Sequence, residues 1–405
     1  MTAAVVTGIG VVAPNGLGID EYWAATLRGE SGIRRITRFD PDGYPVRLAG
    51  EVVGFAPNQH LPGRLLPQTD RMTQFALAAG DWAVRDADLD LAALPALELG
   101  VITAGSAGGF DFGQRELQNL WGKGPNHVSA YMSFAWFYAV NTGQLSIRHD
   151  LRGPIGVFVT EQAGGLDAVA HARRKIRRGA RLMVTGAVDS ALCPYGLTAQ
   201  ITSGRLTGRT DPRRAYLPFD RDASGHVPGE GGAILVVEEA GQARARGVRG
   251  YGTIAGYGAT FDPAPGSGRG ANLVRAIAGA LADADLDPAE IAVVFADAAA
   301  LPELDAAEAA ALAEVFGARG VPVTAPKTMT GRLYSGAGPL DLVNALLALR
   351  DGVIPPTVHV APASVDHDVD LVIGGPRPLR GGAALVLARG RGGFNSAMVV
   401  RAGPG

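Results

Sequence analysis

The chain has 405 residues, 47% hydrophobic and 19% charged, which suffices for a large core spread over two domains or two fused halves. Its formal charge of −2 argues against a nucleic-acid partner. A single cysteine, Cys193, excludes an internal disulfide and any metal site built from clustered thiolates, and it fits a reducing cytoplasm.

The chain begins MTAAVVTGIG, with no basic leader before its apolar run, so a signal peptide is not expected. No apolar run reaches the length of a membrane span. The segment AAVVTGIGVVAPNG predicts a strand, a glycine turn and a loop at Pro14. Residues 19–29 predict a short helix, and 72–90 a longer one with Phe75, Ala78 and Trp82 on one face. Residues 98–109 read as a buried strand and 110–121, FDFGQRELQNLW, as a helix. Next, 156–178 reads as a strand, an abrupt break at Glu161 and Gln162, then a helix. Such an elbow often presents a nucleophile at its tip, but an amide is no nucleophile. Residues 181–191 and 231–240 are further strands. A second round follows: a strand from near 250, a helix over 268–287, a strand over 291–300, helices over 305–317 and 339–352, and the late strands VDLVIGG and AALVLARG. This alternation indicates α/β layering. Two comparable rounds predict two similar halves, 1–240 and 250–405, joined through AGQARARGVRG.

Gly8, Gly10 and Ala13 have dinucleotide-motif spacing, but Pro14, Asn15 and Gly16 interrupt any helix there, and Glu30 lies in a turn. A glycine-tight strand exit is the better reading. The six Lys/Arg of 173–181 read as a solvated helix face with Ile176 turned inward, some of it open to an acidic protein partner. Cys193 reads as buried packing. Asp297 ends a strand, where a carboxylate serves either a site or local backbone amides. Lys327 and Arg332 either flank one cavity as two cations, or Arg332 pairs with Asp297 and fills it. The structural role is favoured for Arg332.

Several segments resemble the condensing enzymes of the β-ketoacyl synthase family: VVTGIGVVAPNG, LPFDRDASGHVPGEGGAILVVE, PKTMTGRLYSGAG and GRGGFNSA. VTEQAGGLDAVAHARR resembles the chain length factors, the ketosynthase β subunits of bacterial type II aromatic polyketide synthases. The resemblance implies a thiolase-like fold of two α/β halves with mixed sheets. It also implies where a condensing site would lie. Active members carry a nucleophilic cysteine at the position of Gln162, and a histidine at that of Asp297. They carry a lysine matched by Lys327, and a second histidine at the position of Arg332. In the late glycine loop Arg391 replaces a phenylalanine and Phe394 a threonine, while Gly392, Gly393 and Asn395 remain.

Claisen condensation needs a thiolate to hold the acyl chain and donors to stabilise the enolate left when malonyl thioester loses CO₂. Glutamine has no thiolate, and a carboxylate at Asp297 repels an enolate. The implied function is therefore that of a partner. This chain would pair with a catalytic ketosynthase α subunit, bind no cofactor of its own, and shape a tunnel. The substrate would arrive on the phosphopantetheine arm of an acyl carrier protein. Gln162 is expected to cap the elbow by accepting from helix-start N–H groups and donating to a carbonyl. Phe110, Gly113 and Leu117 share one helical stripe, which the resemblance places against the tunnel. With no side chain at Gly113 and a leucine at 117, the expected product is longer than an octaketide, C20–C24. The rival readings are a malonyl decarboxylase acting through Gln162, with Lys327 supplying positive charge, and a pure scaffold.

Overall fold

A computed structural model describes residues 3–264 and 272–403. The expected helix start at 268 lies outside them. The first half contributes β1 (Ala4–Ala13), β2 (Leu99–Ala104), β3 (Ile155–Phe158), β4 (Leu182–Asp189) and β5 (Gly231–Glu239). They run in the order β1-β5-β4-β2-β3, with β1-β5 and β5-β4 antiparallel and the other pairs parallel. The second half contributes β6 (Gly252–Phe261), β7 (Ile291–Phe295), β8 (Pro322–Thr324), β9 (Asp370–Leu371), β10 (Ala383–Gly390) and β11 (Phe394–Ala402). Their order, β6-β11-β10-β7-β8, repeats the first half with the same directions, and β9 extends the far edge. The two mixed half-sheets meet where β1 and β6 pair through Val5↔Thr253 and Val6↔Gly252.

The helices that matter for the site are α1 (Arg71–Asp86), α2 (Phe110–Lys123), α3 (Gly164–Arg177), α4 (Pro194–Ile201), α5 (Leu273–Ala284), α6 (Pro302–Phe316) and α7 (Ala337–Asp351). Leu166, Val169 and Ile176 of α3 and Leu340 and Leu346 of α7 pack in one core with Ile102, Met183, Phe295 and Val386, from strands of both halves. On α7 every residue from Ala337 to Leu349 is buried, which suits a helix apolar on nearly all sides and enclosed by sheet on both. Phe75 and Ala79 of α1 cover the opposite face of the first half, and Ile277 and Leu312, from α5 and α6, that of the second. The layers thus run helix, sheet, helix, sheet, helix.

Three sequence readings change in detail. Gly8 and Gly10 lie inside β1, which continues to Ala13, so they do not mark a strand exit. A Cβ at Gly10 would stand 1.9 Å from the Ala79 carbonyl oxygen, so these glycines let α1 lie directly on the strand. In the basic run, Ile176 is buried as expected, but so is Arg173, which bonds Asp283 on α5 and the Ala255 carbonyl. It sits where α3 crosses to the second half, and a long cation there meets an acid instead of solvent. Finally, β11 starts at Phe394, inside the segment read as the late glycine loop, and continues through residues to which no element was assigned. Its chain alternates little, because it is buried on both faces. Among the described residues no helix is long and apolar enough to cross a membrane.

Candidate functional site

The elbow between β3 and α3 is a 3-10 turn, Glu161–Ala163. Glu161 adopts φ +51°, in the left-handed region that a non-glycine side chain enters at a cost. Its carboxylate accepts from the Arg391 backbone N–H at 2.5 Å, which ties the elbow to the late glycine loop. Gly165 makes the next close approach: a Cβ there would stand 2.2 Å from the Ser335 carbonyl oxygen, so α3 and the entry to α7 touch through backbone.

Gln162 is fully buried, and neither amide atom has a hydrogen-bond partner among the described residues. The expected cap does not form. The turn itself does the capping, because the Gly164 N–H bonds the Glu161 carbonyl and Ala163 is already helical at φ −68°. An unsatisfied buried amide costs about 1–3 kcal/mol. Gln162→Met, close in volume and lacking the polar atoms, is therefore expected to raise stability by up to about that amount, read as a higher urea midpoint with unchanged slope. A lower midpoint would show that the amide has a partner in solution.

Asp297 follows β7 and is 1% exposed. Its carboxylate oxygens lie 3.2 and 3.1 Å from one Arg332 guanidinium nitrogen, and one accepts from the Arg389 N–H at 2.8 Å. Arg332 also donates to the Arg389 carbonyl at 2.8 Å. Burial opposes its charge, but Asp297, with Tyr216 and Glu161 nearby, more than offsets that and keeps the guanidinium charged. The ion-pair reading of Arg332 is the one the structure shows. Lys327, 3% exposed, is spent likewise: its Nζ lies 2.8 Å from the Asp341 carboxylate on α7 and donates to the Ala296 carbonyl.

The loop after β7 is held by two further carboxylates. Glu308 accepts from the Asp297 and Ala298 N–H groups at 2.7 and 2.9 Å. Asp305 accepts from Phe219 and Ala300 at 2.8 and 3.0 Å, and burial pushes its carboxyl up to about 7. Ala298 and Ala300 take positive φ, so these bonds fix a strained loop. Gly390 joins the parts: a Cβ there would stand 2.5 Å from the Thr160 carbonyl of the elbow, and its neighbour Arg389 is bonded to Asp297. Of the positions singled out from sequence, Asp297 and Arg332 thus close their charges on each other, and Lys327 closes its own on Asp341.

A cavity of about 260 Å³ opens beside the elbow, with Phe110, Glu161, Asp189, His226, Tyr334 and Arg391 in its wall. Phe110 begins α2 and packs on Tyr195 at 5.0 Å between ring centroids. Asp70 holds α2 in place, accepting from Met72 at the start of α1 and from Phe112, both at 2.8 Å. On the stripe, Gly113 is buried, with its Cβ position 3.6 Å from the Trp136 Cβ, while Leu117 is half-buried. Beyond it lie exposed aromatics: Trp121 at 77%, Trp136 at 48% and Tyr138 at 41%. The edge strand β3 is also open, with Ile155 at 61%. Exposed aromatics and an open strand edge are features common in protein interfaces.

Cys193 is buried and accepts from the Gly196 N–H at the start of α4, and burial pushes its thiol up to about 11. It is packing, as read. Sequence reasoning missed Asp70 and Glu308, and it did not single out Arg205 or His226, which line the cavity. Asp70 carried a usable signal, an aspartate directly before a helical pattern. Glu308 carried none, because its partners are backbone amides of another loop.

Residues 1–243 match the N-terminal domain of the beta-ketoacyl synthases, and residues 251–361 their C-terminal domain. The tetracenomycin polyketide synthase ketoacyl synthase beta subunit of Streptomyces glaucescens is 61% identical over 399 residues, 98% of each chain. The solved ishigamide ketosynthase/chain length factor superposes with a TM-score of 0.89 at 28% identity, covering 99% of both chains. AntDE:AntF, a type II polyketide synthase acyl-carrier protein in complex with its ketosynthase bound to the hexaketide, gives 0.88 at 26%, again over 99% of both.

Proposed function

The chain belongs to the β-ketoacyl synthase family, and from that membership we propose that it is the chain length factor of a heterodimeric type II polyketide ketosynthase. The observation that carries this reading is the closed Asp297–Arg332 pair beside a buried glutamine. A condensing site needs a nucleophile and neutral donors aimed at a thioester oxygen. Here the nucleophile position holds Gln162, the two histidine positions hold Asp297 and Arg332, which neutralise each other, and Lys327 is bound to Asp341. Acyl transfer then belongs to a catalytic α subunit, with substrate delivered by an acyl carrier protein. The exposed aromatics beyond α2 and the open edge of β3 offer the contact surface. A permanent interface of this kind buries more than roughly 2,000 Å². A single buried thiol and no membrane-crossing helix among the described residues suit a cytoplasmic setting.

On this reading the stripe Phe110, Gly113 and Leu117 limits chain growth at the subunit boundary, and the product is a C20–C24 chain. The Gly113 position admits a methyl group in ordinary contact with Trp136, whereas a larger group must extend past it. Gly113→Phe combined with Leu117→Phe, coexpressed with the catalytic partner, should yield polyketides shorter by at least one C2 unit by mass spectrometry. Unchanged length from an assembled heterodimer would favour a pure scaffold.

The unpartnered Gln162 amide favours a second reading, malonyl decarboxylation in this subunit, since a thioester carbonyl would satisfy its N–H. The engagement of Lys327 with Asp341 counts against it, because the positive charge that reading needs is already neutralised. Measuring CO₂ release from malonyl carrier protein separately from polyketide yield distinguishes them. In Gln162→Met, chain length control predicts both retained, whereas decarboxylation predicts a selective collapse of CO₂ release.

A further inference from the structure

Helix α2 is fastened to the rest of the first half through three of its residues. Asp70 accepts from the Phe112 N–H, Arg38 pairs with Asp111 at 2.9 Å, and Gln114 accepts from the Tyr195 N–H at 2.7 Å. The segment 129–136, with its single helical turn Met132–Ala135, is clamped to the same helix at both ends. At one end the Gly109 N–H donates to the Trp136 carbonyl at 3.1 Å. The backbones are close there, since a Cβ at Gly109 would stand 2.2 Å from the Ala135 carbonyl oxygen. At the other end the Glu116 carboxylate accepts from the Ser129 N–H at 2.7 Å. Backbone bonds connect the clamps: Met132 donates to the Ser129 carbonyl at 3.0 Å and Ala135 to the Tyr131 carbonyl at 2.9 Å. Gly113 shares the helix face of Glu116, three residues before it, and meets Trp136. Glu116 is buried, a place where an apolar side chain would be cheaper than a carboxylate. Its only other contact is a loose one, 3.4 Å from Nε of the exposed Arg115. The bond to Ser129 is what accounts for an acid at this position.

We propose that Glu116 is a positioning residue for product length: it holds the segment 129–136 across α2, fixes Trp136 at Gly113, and so keeps the wall beside the Phe110–Gly113–Leu117 stripe stationary. The inference rests on the functional reading above, in which that stripe limits chain growth. A stripe stops a growing chain at one length only if the surface beside it does not move. A carboxylate bonded to a backbone N–H is a strong tether for this purpose. Without it the Gly109 clamp remains, and the segment is free to swing about that one point. Helix α2 itself stays in place, because Asp70, Arg38 and Gln114 hold it without help from Glu116. Loss of the tether therefore broadens the set of chain lengths. Enlarging a stripe residue has a different effect, a uniformly shorter chain.

The test coexpresses this chain with its catalytic partner and compares wild type, Glu116→Met and Glu116→Gln as assembled heterodimers. Glu116→Met keeps the length of the side chain and removes the acceptor. Glu116→Gln keeps an acceptor oxygen and serves as the rescue. Two quantities are read: amide hydrogen exchange of the peptide containing Ser129, and the polyketide lengths by mass spectrometry. In Glu116→Met the Ser129 amide should exchange at least about tenfold faster. Chains one C2 unit away from the main product should rise at least about threefold relative to it. Glu116→Gln should stay within about twofold of wild type on both counts. Should Glu116→Met fail to assemble, Glu116→Asp, one methylene too short to reach the N–H, takes the same measurements. Failure of both to assemble would make Glu116 an assembly residue and overturn the proposal. Unchanged exchange would show that the tether does not hold the segment, and faster exchange with an unchanged length set would show that the segment does not govern length; either overturns it. The Gly113→Phe, Leu117→Phe variant run alongside keeps the two ideas apart. If it shortens the product while Glu116→Met changes nothing, only the positioning role falls. If it too leaves length unchanged, the functional reading of the stripe falls, and the positioning role with it.

Discussion

Arg332→Met should lower stability by about 3–5 kcal/mol, the usual cost of leaving one charge of a buried pair without its partner. Asp297 is 1% exposed and would keep the Arg389 N–H as its remaining side-chain partner. The Arg389 carbonyl would lose its donor as well. Removing both charges, with Asp297→Asn and Arg332→Met, should recover much of the loss, since buried pairs are often replaceable as a unit. Urea unfolding of the single and double variants reads all of this. A single-variant loss under about 1 kcal/mol, or no recovery in the double variant, would mean that the pair is solvated.

Much of the architecture was legible because strands and helices announce themselves locally. The two rounds of strands and helices read from residues 1–240 and 250–405 correspond to a strand order that the structure repeats. The elbow at 156–178 appears as a strand, a tight turn and a helix. Local pattern could not show where side chains meet across the chain. Arg332 and Asp297 are separated by 35 residues, Arg389 and Asp297 by 92, and Arg173 and Asp283 by 110. The Asp297–Arg332 pair was nonetheless one of the two alternatives read there, from a carboxylate at a strand end and a cation in a glycine-rich loop. The cap assigned to Gln162 was not borne out, because a 3-10 entry supplies its own backbone bonds and leaves the amide unused. The cavity beside it was invisible for a related reason. Its wall draws on α2, the elbow, the segment after α4, and the loops at His226, Tyr334 and Arg391.

The other large effect concerns activity. All C2 extension by the heterodimer should disappear when the partner's nucleophilic cysteine is replaced by alanine, although this chain is intact. Nothing in this chain can take over. Gln162 forms no thioester, Cys193 is buried with its thiol raised to about 11, and Asp297, Arg332 and Lys327 are paired. Conversely, Gln162→Met in this chain, with the partner unchanged, should leave product yield within about twofold if catalysis resides wholly in the partner. The most direct measurement is therefore product analysis by mass spectrometry after incubating malonyl-loaded carrier protein with this chain alone, with the intact heterodimer, and with the heterodimer whose partner lacks its cysteine. The account predicts polyketide from the intact heterodimer and none from the other two; polyketide from this chain alone, or from the cysteine-free heterodimer, would contradict it.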